Sequence, residues 1–406
     1  MKKTLIAVAA AAALTATSAF AEITFGAWLR VITGVGSNGE DVVMGTTNSW
    51  GGVRPARLNA AGTSEDGKAG FKLDFYFDND EIWGHDKNIR IGDNGYLWVK
   101  PIDQIQLSIG KFDGGETGFR GDFCYGSWNW LRPYNWIVED EGLTFRGSHK
   151  DGLMARITPI DNLVVLVQLP VMNAKWGGNN AGYVAKTETE DAKNTAADVF
   201  KNAAYMASYS IEGVGTLKAG FFGADEEKTV EGKKYNQTGT VNVAFDLNAI
   251  ENLYVTVGAF FDIADKEMGE WHEKMKFTAG ASYQVSDAMK FSVSGGYVKY
   301  MDKCAWLGNK DNAFQIGAGV DYVIMDGLTL NADVRYKNVG YGKKGDDGSV
   351  SFLAGVVKSV GGNASLQAGF QGSTNGCGLV QADTGIPAVE NDDFVWAIPV
   401  GLSVWF

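Results

Sequence analysis

From Phe394 to Phe406 every even position carries a large apolar side chain: Phe394, Trp396, Ile398, Val400, Leu402, Val404 and Phe406. Successive side chains of a strand point to opposite faces, so this pattern predicts a strand with one greasy face. The odd positions between them are small or mixed. Residues 328–336 repeat the pattern, with Leu328, Leu330, Ala332, Val334 and Tyr336 on one face and Thr329, Asn331, Asp333 and Arg335 on the other. A slip of one residue would exchange the two faces. If the greasy face meets lipid, Arg335 would then cost about 2–4 kcal/mol at mid-membrane, so the register is fixed by the pattern itself.

Runs of this kind fill the chain from Glu22 onward and predict about eighteen antiparallel strands, or sixteen if one pair is merged. Their connections are short and long in turn. Tight turns such as 101–103, 159–162, 286–288 and 325–327 alternate with polar stretches at 36–50, 79–93, 113–141, 173–200, 225–237, 263–273, 301–312, 339–348 and 373–391. Two hairpins share a Pro-Ile-Asp turn, at Pro101-Ile102-Asp103 and Pro159-Ile160-Asp161, as expected of a sheet built from one repeated unit. A soluble sandwich would have to bury the polar face of each strand. The pattern therefore predicts an all-β, transmembrane up-and-down barrel occupying 22–406 as one domain, and at sixteen to eighteen strands the interior holds water.

The start of the chain agrees. Lys2 and Lys3, the apolar run from Leu5 to Leu14 and the Ala19-Phe20-Ala21 site read as an export signal peptide over 1–21. Beyond it no stretch approaches the roughly 20 apolar residues of a membrane helix, which leaves a closed barrel as the way to span a bilayer. Composition adds 53 Gly, 7 Pro and a formal charge of −12, or −14 once Lys2 and Lys3 are removed. Such acidity speaks against a nucleic-acid partner, since phosphate neutralisation needs a basic surface. Cys124, Cys304 and Cys377 all fall in segments read as loops; their spacing fits no metal site and leaves open which pair, if any, forms a disulfide.

Parity places Arg57, Lys72, Asp74, Arg156, Lys218, Asp246, Lys274, Lys276, Lys290, Asp321, Asp333, Arg335 and Lys337 on the inner face, which is what a wet pore wall requires. Enzyme chemistry finds no footing: His85, His149 and His272 lie in or beside loops, and no nucleophile elbow, P-loop or zinc spacing occurs. The run Asp78-Asn79-Asp80-Glu81 lacks a full calcium ligand series. Neither a cofactor nor a metal is expected.

In signal peptide, hairpin rhythm and terminal Phe406 the chain resembles the bacterial outer-membrane porins over essentially its whole length. The resemblance implies an outer-membrane channel for passive diffusion of small hydrophilic solutes, surrounded by lipid, with a homotrimer as the common assembly of such barrels. It also implies that Phe406 is the signal read by the barrel assembly machinery. The loop after the fifth strand, near 113–141, would fold inward, its Glu116, Arg120 and Asp122 facing Lys218, Lys274, Lys276, Lys290 and Arg335 across a constriction. Saccharide-selective porins line their path with aromatic rings, a role open to Tyr125, Trp128, Trp130, Tyr134 and Trp136. A surface barrel serving as an adhesin or structural protein, without significant conduction, is the alternative from another class.

Overall fold

The computed structural model describes residues 22–37, 41–47, 56–78, 88–112, 144–145, 151–171, 195–230, 233–264, 273–304, 310–339, 348–374 and 394–406. The expected signal peptide lies outside them. Along the chain run β1 (Glu22–Ser37), β2 (Val42–Thr47), β3 (Ala56–Thr63), β4 (Ala69–Asp78), β5 (Asn88–Ile102), β6 (Ile105–Lys111), β7 (Gly152–Ile160), β8 (Leu163–Leu169), β9 (Ala204–Ile211) and β10 (Gly215–Val230). There follow β11 (Lys233–Ile250), β12 (Leu253–Ala264), β13 (Glu273–Ser286), β14 (Met289–Cys304), β15 (Lys310–Met325), β16 (Leu328–Lys337), β17 (Ser349–Ser359), β18 (Ala364–Ser373) and β19 (Val395–Trp405). One short helix, α1 (Ala196–Lys201), precedes β9. Thr195 and Asp198 close a capping box on it, and the hydrogen bonds from the Thr195 backbone and side chain hold the Asp198 carboxyl below the usual carboxylate range.

Strands from β3 onward pair antiparallel with their sequence neighbours, and β19 returns to β1 with Trp28 opposite Trp405 and Ser37 opposite Trp396. β2 pairs with residues 32–37 of β1 and β3 with residues 22–29, so these two strands form a single stave. The nineteen strands therefore make a closed barrel of eighteen staves, the larger of the two numbers the alternation predicts. Closure leaves no open edge.

One rim carries the tight turns. Two-residue connections at 161–162 and 251–252 place Asn162 (φ 66°) and Asn252 (φ 63°) in the left-handed region that asparagine tolerates. In the 64–68 turn, Asp66 accepts from Ser64 Oγ at 2.6 Å and from the Lys68 N–H at 3.0 Å, and the Ser64 bond is the main reason its carboxyl lies below the usual range.

Several stretches read as long connections hold strand instead: β2 lies within 36–50 and β5 begins within 79–93. Residues 225–237, read from their charge as a loop, instead continue β10 and β11, with Glu226 opposite Gln237 and Val230 opposite Lys233 beyond a bulge near Gly223. Outside the bilayer both faces of a ladder meet water, so the pairing continues without the alternation that signals it. Likewise β14 runs to Cys304, which lies opposite Lys310 at the edge of what was read as a loop; Cys124 and Cys377 lie outside the described residues. Past the 113–141 stretch, β7 starts only at Gly152, and Thr144 and Phe145 belong to no strand.

The even set of β19 faces outward as the alternation requires: Ile398, Val400 and Leu402 are exposed while Ala397 and Ser403 are buried. Outward aromatics gather in two belts. Tyr209, Tyr283, Phe291 and Tyr322 ring the tight-turn side, and Phe261, Phe277, Phe314, Tyr336, Phe352, Phe370 and Trp396 the other. Neighbours in the second belt touch, as in the edge-on Phe261–Phe277 pair (5.7 Å) and the stacked Phe370–Trp396 pair (6.2 Å). On β15 the belts lie eight residues apart, from Phe314 to Tyr322. That is about 27 Å along the strand, and about 20 Å along the barrel axis at a tilt of about 40°, close to the height of an outer-membrane apolar band.

Candidate pore lining and constriction anchor

Pairing of the strands decides what the inner face can do, because each inward residue sits beside inward residues of the two adjacent staves. Five cations expected on the pore wall gain a carboxylate neighbour, three from the adjacent stave and two along their own strand. Lys218 of β10 bonds Asp246 of β11 at 2.8 Å, Lys276 bonds Glu273 at 3.1 Å, Lys290 of β14 lies 3.6 Å from Asp321 of β15, and Arg335 Nε donates to Asp333 at 3.0 Å. Arg57 pairs with Asp74, which also accepts from Asn94 Nδ2 at 2.8 Å. The wall is thus a set of local dipoles rather than a bare cationic surface. Lys274 stands apart, exposed at the start of β13 next to the register shift between Glu273 and Met275.

A second part of the wall is apolar. Phe112, Met154, Leu166, Ala204, Met206 and Ala244 are all buried in one cluster, with Tyr96, Val164 and Phe222 around it. Met154, Leu166, Met206, Ala244 and Phe222 occupy inward positions of β7, β8, β9, β11 and β10. At the centre of the cluster lies Phe145, 0% exposed, with its ring 5.9 Å from that of Phe222 in an edge-on contact. Greasy inward positions would be unfavourable against water; this ring covers them.

Thr144 completes the attachment. Its hydroxyl is 2.8 Å from the Thr256 hydroxyl on β12, and Thr256 donates to Asp246 at 2.6 Å, which joins the contact to the Lys218 ion pair. Asn242 Nδ2 is held by the Ala259 carbonyl at 2.9 Å and reaches the Thr144 carbonyl at 3.5 Å. Gly258 and Gly220 make the approach possible. A Cβ on Gly258 would overlap the Thr144 carbonyl, and one on Gly220 would lie 3.0 Å from the Phe145 ring. The backbone at 144–145 is therefore seated on the inner wall of β10–β12, crossing from β6 on the way to β7.

Glu116, Arg120 and Asp122, and the rings of Tyr125, Trp128, Trp130, Tyr134 and Trp136, lie outside the described residues. Sequence reasoning missed the anchor, although a signal was there: Leu163-Val164-Val165-Leu166-Val167 is apolar on both faces, which a water-facing strand would not be. No cluster of metal-ligating side chains occurs among the described residues.

A family model described as Gram-negative porin matches residues 7–342. The chain belongs to that family. Among solved structures, the anion-selective porin from Comamonas acidovorans is 15% identical, the match covering 95% of this chain and 100% of that one at a TM-score of 0.54. A triple mutant of the Rhodopseudomonas blastica porin is 14% identical over 95% of this chain and 100% of that one, at a TM-score of 0.47. No curated protein matches. The first of these likenesses supports the fold; the family model supplies the function. The porin is an outer-membrane diffusion channel, with lipid around its apolar face and small solutes passing through its polar interior.

Proposed function

We propose that the porin passes small hydrophilic solutes without a chemical step, through a bore narrowed by the segment joining β6 to β7. The seating of Thr144 and Phe145 on the wall of β10–β12 carries this reading, because it draws the chain from the rim into the lumen. Glu116, Arg120 and Asp122 belong to the same segment and supply a mixed, acidic-leaning edge opposite the ion-paired wall. The transverse field between them orients dipolar solutes and disfavours apolar ones. Single-channel recording in planar bilayers tests the idea. In-frame removal of 116–136 enlarges the open step if the segment sets the bore, and an unaltered step overturns the assignment. A barrel with only a structural or adhesive role would show no open steps at all.

The aromatic residues Tyr125, Trp128, Trp130 and Trp136 extend the proposal to sugars, since sugar rings stack on aromatic faces. Liposome swelling that is faster for a disaccharide in the native chain than in the Trp128→Ala/Trp130→Ala double variant would bear this out; equal rates would remove it. Assembly is assigned to Phe406, whose side chain is 77% exposed on the outer face and whose backbone exchanges two hydrogen bonds with Ala27, at 2.8 and 3.1 Å. An outward, exposed ring beside the closing seam supports that role. Deleting Phe406 lowers the folded, heat-modifiable fraction in outer membranes, and an unchanged yield overturns the role. The trimer common to such barrels is the assembly we assign; cross-linking in membranes checks it.

A further inference from the structure

Five inner-wall cations sit beside carboxylates; Lys337, at the end of β16, does not. It is 2% exposed, and its side chain makes neither an ion pair nor a hydrogen bond to the described residues. An ammonium withdrawn from water without a counter-charge is unfavourable unless something charged or strongly accepting comes to it. Gln315 of β15 lies opposite Lys337 on one side, buried, and offers an amide rather than a carboxylate. Ser349 of β17 lies directly opposite in the register, with its hydroxyl buried and without a hydrogen-bond partner, and the next inward pair is Arg335 with Ser351. Gly317 faces Arg335 across the β15 side, and a Cβ there would lie 3.0 Å from Arg335 Cγ, so the absence of a side chain makes room for the guanidinium. Tyr336, the residue before Lys337, belongs to the outer aromatic belt away from the tight turns, which puts this group on the inner wall near the long-loop mouth.

We propose that Lys337, Ser349 and Arg335 form an oxyanion station at the long-loop mouth, where a phosphate-like solute is held before it enters the bore. A tetrahedral oxyanion accepts from an ammonium, a hydroxyl and a guanidinium at once, and the Asp333 partner of Arg335 leaves the group with a net charge of about +1, enough to attract without trapping. The four methylenes of Lys337 let its ammonium turn from the wall toward the lumen without moving the strand. The station rests on the porin reading.

The test uses the full-length mature channel in planar bilayers with KCl on both sides and inorganic phosphate titrated on one. The native channel shows a saturable fall in chloride current as phosphate rises. Lys337→Gln weakens that response about tenfold and Ser349→Ala a few-fold, as expected for a charged and a neutral hydrogen bond. Lys337→Arg, which keeps the charge, retains it, and Lys68→Gln in the distant exposed turn leaves it unchanged. A native channel indifferent to phosphate, or a Lys337→Gln channel that responds as the native one does, overturns the station while leaving the porin reading intact. Absence of any channel in the native protein would instead overturn the porin reading.

Discussion

Two parts of one inner wall follow opposite rules. From β7 to β11 the inward positions include Met154, Leu166, Met206, Ala244 and Phe222, and a phenyl ring lies on top of them. From β13 to β16 they are Lys276, Lys290, Asp321, Asn331, Asp333 and Arg335, cross-linked in pairs. The outer faces of both are the same apolar belt. The difference teaches that an inward apolar run in such a barrel marks where a segment of chain docks, whereas an inward charged run marks where water is left. On the proposed reading the first part seats the segment that narrows the bore and the second lines the path left open.

The docked part should be the easier to disrupt. Gly258→Val sets a side chain against the Thr144 carbonyl and should cost about 1–3 kcal/mol of overpacking or unseat the segment altogether. Single-channel conductance should then rise toward that of the 116–136 deletion. Phe145→Ala removes a fully buried ring, worth about 3–5 kcal/mol, which shifts a docked-to-undocked ratio by roughly a hundredfold or more. Its channels should flicker between two conductance levels. If both variants keep the native step, the apolar cluster is packing without consequence for the bore.

At the ion pairs a smaller effect is expected, first at the Lys218–Asp246 pair that borders the docked part and then on the charged part, where it should cancel. Asp246→Asn leaves Lys218 without its carboxylate and takes a charged acceptor from Thr256; with lumen water near both, the loss is ~1–2 kcal/mol in thermal unfolding. It should also move the zero-current potential in a salt gradient toward anion preference. Lys290→Gln should move it the other way, and Lys290→Gln with Asp321→Asn should nearly restore it. A double variant as shifted as the single one would show that the pair does not act as a local dipole. Smallest of all, Lys274→Gln should leave the potential unchanged while Lys276→Gln shifts it, because Lys274 is exposed at the end of its strand and Lys276 is buried in the wall.

Most of the architecture could be read from alternation. The faces of β16 and β19, the tight turns and the eighteen staves all follow from a period of two with regular breaks. What could not be read is whatever depends on the neighbouring stave. Lys218 and Asp246 are 28 residues apart and meet only because Lys218 lies opposite Ala244, a register no local pattern states. The extension of β10 and β11 was hidden because polar strands outside a bilayer do not alternate. The anchor was hidden for a different reason: Thr144 meets Thr256 on β12, 112 positions along the chain, and only the greasy inner face of β8 hinted that something must cover it.

The seam between β1 and β19 has a consequence for how the molecule comes to exist. Trp28 lies opposite Trp405, so the first stave to be synthesised has its final partner only when the last has been made. Holding such distant segments together has an entropic cost of about 5 kcal/mol for a loop of this length, and it must be met before the seam's hydrogen bonds form. Until then β1 has an unsatisfied edge, open to pairing with any other strand. The barrel is therefore a slow, high-contact-order folder whose most vulnerable interval is the one just before closure, and its folding rate should respond more to changes along this seam than to changes at any other stave boundary.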